Sequence, residues 1–306
     1  MNFSRALGLF VLLSVVPLSI VQGQSFRVTL LGSGETFPQP DRLGPSVLVE
    51  AGEKVYIFDT GRGVLQRFGE IDGFGKDLDG VFFTHLHSDH VIGFPGLWLG
   101  TWMFSRRDQP LRVFGPAGTQ SMLSHIRQAF SFDVDVRILE GANPAGAELS
   151  VTELDDGFLL EDEDVVIRAF SVDHAPIEPA FGYRIDFDGR SVALSGDTRY
   201  SEALIEAATG VDLLIHEVSD ASDEFIQANA RFRDVVMGHH TTAIEAGEVF
   251  DQVQPKLAVY AHMVIRDLSF EGLVEKTRVS YQGPLIVGED LMVFDIAEEI
   301  GVAIHR

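Results

Sequence analysis

Beyond residue 24 the chain switches repeatedly between two hydrophobic periods. Apolar–polar alternation and short apolar runs predict strands over residues 25–31, 46–51, 54–59, 80–84 and 111–114. A helical spacing follows over 119–130, then strand patterns over 134–139, 148–153, 165–172, 182–187 and 191–195. The last third reads as helix 201–208, strand 211–216, helices 221–229 and 242–253, strand 257–261, helix 270–277 and closing strands near 285–295. Strands interleaved with helices at these intervals predict a layered α/β sandwich. No Pro-, Gly- or Ser-rich linker and no short repeat interrupts the pattern, so residues 24–306 read as one domain.

The first residues follow neither period. Arg5 precedes an apolar run from Leu7 to Val21, and Val21-Gln22-Gly23 suits cleavage before Gln24. Residues 1–23 therefore read as a signal peptide, and the mature chain is expected to be exported, either periplasmic or secreted. The alternative is an uncleaved anchor, but the run is short for a membrane span and Pro17 breaks it. No other stretch is long and apolar enough to cross a membrane, so no stable span is expected after cleavage.

Charge and cysteine usage narrow the chemistry. Lys and Arg number 23 against 46 Asp and Glu, a net charge of −23. Proteins that grip nucleic acid neutralise its phosphates with Lys and Arg, so this balance argues against a nucleic-acid partner and for a small-molecule substrate. Cysteine is absent, which excludes disulfides, thiolate ligands and a Cys nucleophile; a transition-metal site must then use His and carboxylate. Residues 148–164 hold eight acidic side chains and no basic one. They read as a solvated hairpin edge, where charge deters further strand pairing.

The candidate chemistry begins where the apolar run 80–84 opens into Thr84-His85-Leu86-His87-Ser88-Asp89-His90. His85 and His87, two apart in extended chain, can face one point, while Asp89 and His90 continue round the turn toward a second. Zinc favours such nitrogen and carboxylate donors. His85-x-His87-x-Asp89-His90 is similar to the signature of the metallo-β-lactamase superfamily. Leu31-Gly32-Ser33-Gly34, Phe58-Asp59-Thr60-Gly61 and Gly115-Pro116-Ala117-Gly118 resemble elements of its ribonuclease Z and arylsulfatase-like branch.

That resemblance implies a four-layer αββα fold with two divalent metal ions at one edge of two facing sheets, zinc first, with manganese or iron(II) possible. It implies further ligands downstream. Val172-Asp173-His174-Ala175-Pro176 supplies His174, Leu194-Ser195-Gly196-Asp197-Thr198 supplies a bridging Asp197, and Val259-Tyr260-Ala261-His262 supplies His262 at a strand end. One ion would take His85, His87, His174 and Asp197; the other Asp89, His90, His262 and Asp197. Met237-Gly238-His239-His240-Thr241-Thr242-Ala243 resembles the branch's Gly-His-Ser/Thr-Thr-Ala element. It places His240, in register rather than by any other argument over His239, as the proton donor to the leaving group. Ile215-His216-Glu217 resembles its His-Glu pair, with Glu217 orienting that histidine. The implied reaction is hydrolysis by water activated between the ions, with Asp89 also accepting a hydrogen bond from it. His125 and His305 belong to no motif and are expected at the surface.

The substrate is less legible. The branch points to a phosphodiester or a sulfate ester. Against tRNA 3′ endonuclease activity stand the expected export and the short hairpin between His174 and Asp197, where that enzyme group carries a long arm. Lactone or thioester hydrolysis, and a non-catalytic metal-binding protein on the same fold, are the alternatives. Trp98, Trp102, Met103 and Phe104 could line an apolar substrate pocket, or serve as core or as a dimer contact. A homodimer is implied by the resemblance alone.

Overall fold

The computed structural model describes residues 24–305, so the signal-peptide reading of residues 1–23 lies outside the described residues. The first sheet is built from Phe26–Gly32 (β1), Ser46–Ala51 (β2), Lys54–Phe58 (β3), Gly80–Phe82 (β4), Leu111–Gly115 (β5) and Leu149–Glu153 (β6). The second takes Leu159–Asp162 (β7), Val165–Ser171 (β8), Phe181–Phe187 (β9), Arg190–Leu194 (β10), Leu213–Ala221 (β11), Leu257–Arg266 (β12) and Leu285–Val287 (β13). Met292–Asp295 (β14) and Gly301–Ile304 (β15) return to the first sheet. The strand orders are β15-β14-β1-β2-β3-β4-β5-β6 and β13-β12-β11-β10-β9-β8-β7.

Period-two alternation decides how the layers stack. Tyr56, Phe58, Phe82 and Phe114 of the first sheet meet Tyr183, Ile185, Leu194, Ile215 and Val259 of the second in one core. The intervening residues point outward. Val55, Ile57, Val81 and Val113 pack under Val64–Glu70 (α1), Phe94–Phe104 (α3), Thr119–Ala129 (α4) and Ser131–Leu139 (α5). On the other side Ala193, Leu214, Ala258 and Tyr260 are covered by Glu202–Ala208 (α6), Ala243–Val253 (α8) and Phe270–Thr277 (α9). The two remaining α-helices among the described residues are the single turn Ser88–Val91 (α2) and Asp223–Ala228 (α7). This is the expected αββα sandwich. Among the described residues no helix is long and apolar enough to cross a membrane.

Three expectations are corrected. Residues 134–139, expected as a strand, lie in α5. Their V-D-V-R-I-L pattern alternates, but Val134 and Ile138 are also four apart, and both turn into the outer core of the first sheet. Trp98 and Trp102 do not line the cavity at the expected ligands, as the substrate-pocket alternative had it: they are 0% and 2% exposed on α3, in that same core. Trp98 Nε1 donates to the carbonyl of Ala147 and Trp102 Nε1 to that of Asn143. Helix α3 is apolar on every face, as buried helices are. Third, His262 does not end its strand, because β12 continues to Arg266.

The acidic stretch runs through β6 and β7, each the last strand of its sheet, as the edge reading expects; the two lie in different sheets rather than forming a hairpin, and β7 pairs with β8 instead. Lys54 and Arg112 answer Asp162 across the gap between the sheets' edges.

Candidate metal centre

Parallel pairing of β3, β4 and β5, and of β10, β11 and β12, sends the strands' C-terminal ends to one rim of the sandwich. The histidine segment leaves β4 there, His174 follows β8, and Asp197 follows β10 through Gly196. Gly196 has φ +61, and a Cβ on it would press against the carbonyl oxygen of Phe181, so only glycine fits this turn. His262 arrives by a different device. Pairing of β11 with β12 shifts by one residue between His216 and Val218, and His262 sits in that bulge with φ +49. A bulge re-aims one side chain without ending the strand.

The structure brings all seven expected ligands together. His85, His87, His174 and Asp197 form one group whose donor atoms lie within 4.8 Å of one another, and Asp89, His90 and His262 form a second. Asp197 Oδ2 stands between them, 3.8 Å from His85 Nε2, 3.9 Å from His174 Nε2, 3.4 Å from His90 Nε2 and 3.0 Å from His262 Nε2.

Four of the five histidines are fixed from behind by their second ring nitrogen. His90 Nδ1 lies 2.8 Å from Asp59 Oδ2, His174 Nδ1 2.8 Å from the carbonyl of His239, and His262 Nδ1 3.0 Å from that of Gly34. His85 Nδ1 meets Thr84 Oγ1 at 3.0 Å, and that hydroxyl donates to Asp59 at 2.8 Å. Each ring therefore donates outward through Nδ1 and turns Nε2 inward, the outer partnership that orients metal-ligating imidazoles. His90 Nε2 and Asp197 Oδ1 are buried with no hydrogen-bond partner. Orphaned buried atoms converging at this spacing fit a dinuclear cation site.

Electrostatics divides the two groups. Burial lowers His85 well below its ordinary value, lowers His87, and takes His174 down to about 4. Neutral imidazole is the ligating form. Burial would also lower His90 and His262, but the carboxylates outweigh it: Asp197 and Asp59 raise His90 well above its ordinary value, and Asp197 with Asp89 raises His262 to about 9. Burial would raise Asp197, yet His262 and His90 hold it well below the carboxylate range. The carboxylates around His90 and His262 thus favour positive charge at this spot, which a cation would supply.

His240 and Glu217 adjoin the centre. His240 Nδ1 is 3.2 Å from Glu217 Oε1 and 3.9 Å from Asp197 Oδ2. Its angle to Glu217 misses a hydrogen bond, but the charge acts: burial would lower His240, and Glu217 raises it. Glu217 Oε1 also accepts from the backbone N–H of Thr241 at 3.0 Å and of Thr198 at 3.3 Å, which locks it in place. His239 turns its ring toward His174, with ring centroids 5.0 Å apart. His240 lies within 4 Å of both carboxylates, while no ion pair joins His239 to either of them among the described residues. His125 and His305 are exposed.

Some participants carried no role in the sequence reading. Asp59 ends β3 inside the Phe58-Asp59-Thr60-Gly61 motif, with φ +57, and holds both Thr84 and His90. A carboxylate closing an apolar strand was its available signal. Thr36 Oγ1 donates to Asp89 Oδ2 at 2.9 Å. Arg199 ties three ligand loops: its Nη1 meets Asp173, its Nη2 donates to the carbonyl of Ala175, and its Nε to that of Gly238. Nothing in the sequence announces either contact.

Residues 54–263 match the β-lactamase superfamily domain. A Ribonuclease Z of Mycobacterium marinum is 37% identical over 243 residues, covering 78% of this chain and 86% of that one. Among solved structures, the metallo-β-lactamase fold protein YhfI of Bacillus subtilis superposes with a TM-score of 0.68 at 18% identity, covering 89% of this chain and all of that one. The short form of human tRNase Z does so with a TM-score of 0.65 at 23% identity, covering 89% and 98%. With its αββα layers and its His/Asp clusters on one rim, the chain belongs to the metallo-β-lactamase superfamily and is a metal-dependent hydrolase.

Proposed function

We propose that this protein is a two-metal phosphodiesterase of the ribonuclease Z kind, with RNA as its substrate class. The observation that carries the reading is that His240, backed by Glu217, lines the same cavity as residues of both ligand groups. That cavity, about 380 Å³, is lined by His87, Asp89, Asp197, His239, His240 and His262 among others. The ribonuclease relatives supply the phosphodiester. They also weigh against two arguments for another substrate. An alignment of 243 residues that covers 78% of this chain leaves no room for a long inserted arm within the matched part of the M. marinum relative. The short hairpin between His174 and Asp197 therefore does not set this chain apart from it. Nor does the acidic balance of the whole chain exclude RNA while a relative this similar carries that name.

His85, His87, His174 and Asp197 would hold one ion, and Asp89, His90, His262 and Asp197 the other, zinc being the first candidate for such donors. When bound, such ions lower the pKa of water toward neutrality and offset charge on the phosphoryl oxygens. The protein's own groups do the rest. Thr36 fixes the Asp89 carboxylate, Asp59 fixes His90, and Glu217 keeps His240 charged at Nδ1. His240 Nε2 is left to give its proton to the departing oxygen, the general-acid role.

A second reading has one observation in its favour. Among the described residues Arg266 is the sole Lys or Arg lining the cavity, and Glu35 already neutralises it. A small phosphodiester needs fewer cations than an RNA chain and would suit an exported enzyme. Export remains part of the proposal, supported by the pattern of residues 1–23; an N-terminus at Gln24 in recovered protein would support it and an intact Met1 would end it.

The test uses the chain from Gln24 loaded with zinc or manganese, assayed on a 3′-extended precursor tRNA, bis(p-nitrophenyl) phosphate and p-nitrophenyl sulfate. Precursor cleavage that disappears on chelation and returns with metal supports the main reading. Turnover of the small diester alone moves the assignment to small phosphodiesters. Sulfate turnover alone replaces it with a sulfatase, and silence on all three rejects it.

A further inference from the structure

The loop over residues 33–43 is anchored more firmly than its place at the surface requires. Ser33, through N–H and Oγ, and the Leu43 N–H all donate to the buried Asp290 carboxylate. Glu35 is 2% exposed and takes both terminal nitrogens of Arg266. Thr36 is bonded to Asp89. Between these anchors the chain holds Phe37 out in solvent, 67% exposed, in the wall of the catalytic cavity. Among the described residues no aromatic ring or cation stacks on it. Val236 and His239 face the cavity with it, and its one arginine is spent on Glu35.

A large apolar ring left bare one residue from a contact to a candidate ligand costs solubility and adds nothing to the core. Its rigid mounting means that little entropy is lost when a flat partner lies on it. A group flanking a phosphodiester at this centre meets that ring rather than a free cation. Base–aromatic stacking is how such surfaces bind nucleotides without basic side chains.

We propose that Phe37 is the platform on which the nucleobase beside the scissile phosphodiester stacks, making it a substrate-selecting residue; this rests on the phosphodiesterase reading. The experiment compares two esters with the same leaving group on the zinc-loaded protein. Phe37→Ala is expected to lower kcat/KM for thymidine 5′-(p-nitrophenyl phosphate) about tenfold, through KM. Methyl p-nitrophenyl phosphate, which has no base, is expected to change less than about twofold on the same reasoning. Phe37→Trp keeps the preference for the thymidine ester. Equal changes on both esters, or none on either, overturn the platform. If the wild-type protein cleaves neither, the phosphodiesterase reading falls and calorimetry decides the platform separately. Thymidine 5′-phosphate binding more tightly than ribose 5-phosphate, with that margin lost in Phe37→Ala, sustains it; equal binding of the two overturns it.

Discussion

The floor of the catalytic cavity and its rim are built on opposite principles. His85, His90, His174, Asp197 and His262 are all buried; a strand end or bulge delivers each of them except His90, which the short helix α2 carries. The four imidazoles are oriented by hydrogen bonds from behind. Phe37, 67% exposed, and the half-buried Val236 belong to the loop after β1 and to the 232–236 turn, outside both sheets. A floor residue cannot change without stranding a buried polar partner, whereas a rim residue can. Chemistry is therefore tied to the fold, and substrate choice is left to loops.

The comparison breaks most sharply at Asp197, which stands within 4 Å of nitrogens from both ligand groups. Asp197→Ala should drop bound metal from about two ions per chain to one or fewer and cut the rate by more than roughly 10³-fold. Metal analysis alongside the assay checks it, and full metal with full rate would show that the floor is not the site. His240→Ala should lose about 10²–10⁴-fold in kcat with metal content kept, the range of a lost general acid. If substrates with a p-nitrophenolate leaving group, which needs no proton, fall as far as a nucleoside leaving group, the proton-donor role is wrong.

Smaller effects test the outer partners. Asp59→Asn, which weakens the acceptor for His90, should reduce metal affinity about 10–100-fold, read by competition with a chelating dye. Unchanged affinity would mean that the sheets alone orient the ring. Arg199→Ala, which unties the loops of His174 and His240, should cost about tenfold in kcat at constant KM and metal content. A matching loss in Asp173→Ala would assign that effect to the ion pair rather than to the two carbonyl contacts. Trp98→Ala, deep beneath the first sheet, should leave the rate within about twofold but cost about 3–5 kcal/mol of stability in denaturant titration. A large rate loss there would show that the floor depends on its distant support.

Much of the floor was readable in one dimension because its residues occupy short segments. Four of the seven expected ligands lie in six consecutive residues, and the others each follow an apolar run that reads as a strand. Where reading failed, two local patterns were equally good. Residues 134–139 suit either a strand or a helix, and only the neighbouring core, taking up Val134 and Ile138 together, selects the helix. The Trp98–Phe104 cluster reads equally as pocket or core until α3 is seen to lie against the first sheet.

What the sequence by itself determined is a layered α/β sandwich, a histidine-rich segment at the end of an apolar strand and the absence of thiol chemistry, since each follows from local periodicity or composition; the αββα layering and the downstream donors came from the resemblance to the family. What only the tertiary structure decided is which atoms meet. The pairing of Glu217 with His240 rather than His239, the bulge that turns His262 inward, Asp59 behind His90, and Phe37 over the cavity join residues up to about 230 positions apart, as with His262 and Gly34. Such contacts leave no mark on the residues between them, because hydrogen bonds and burial act on distance in space and not on distance along the chain.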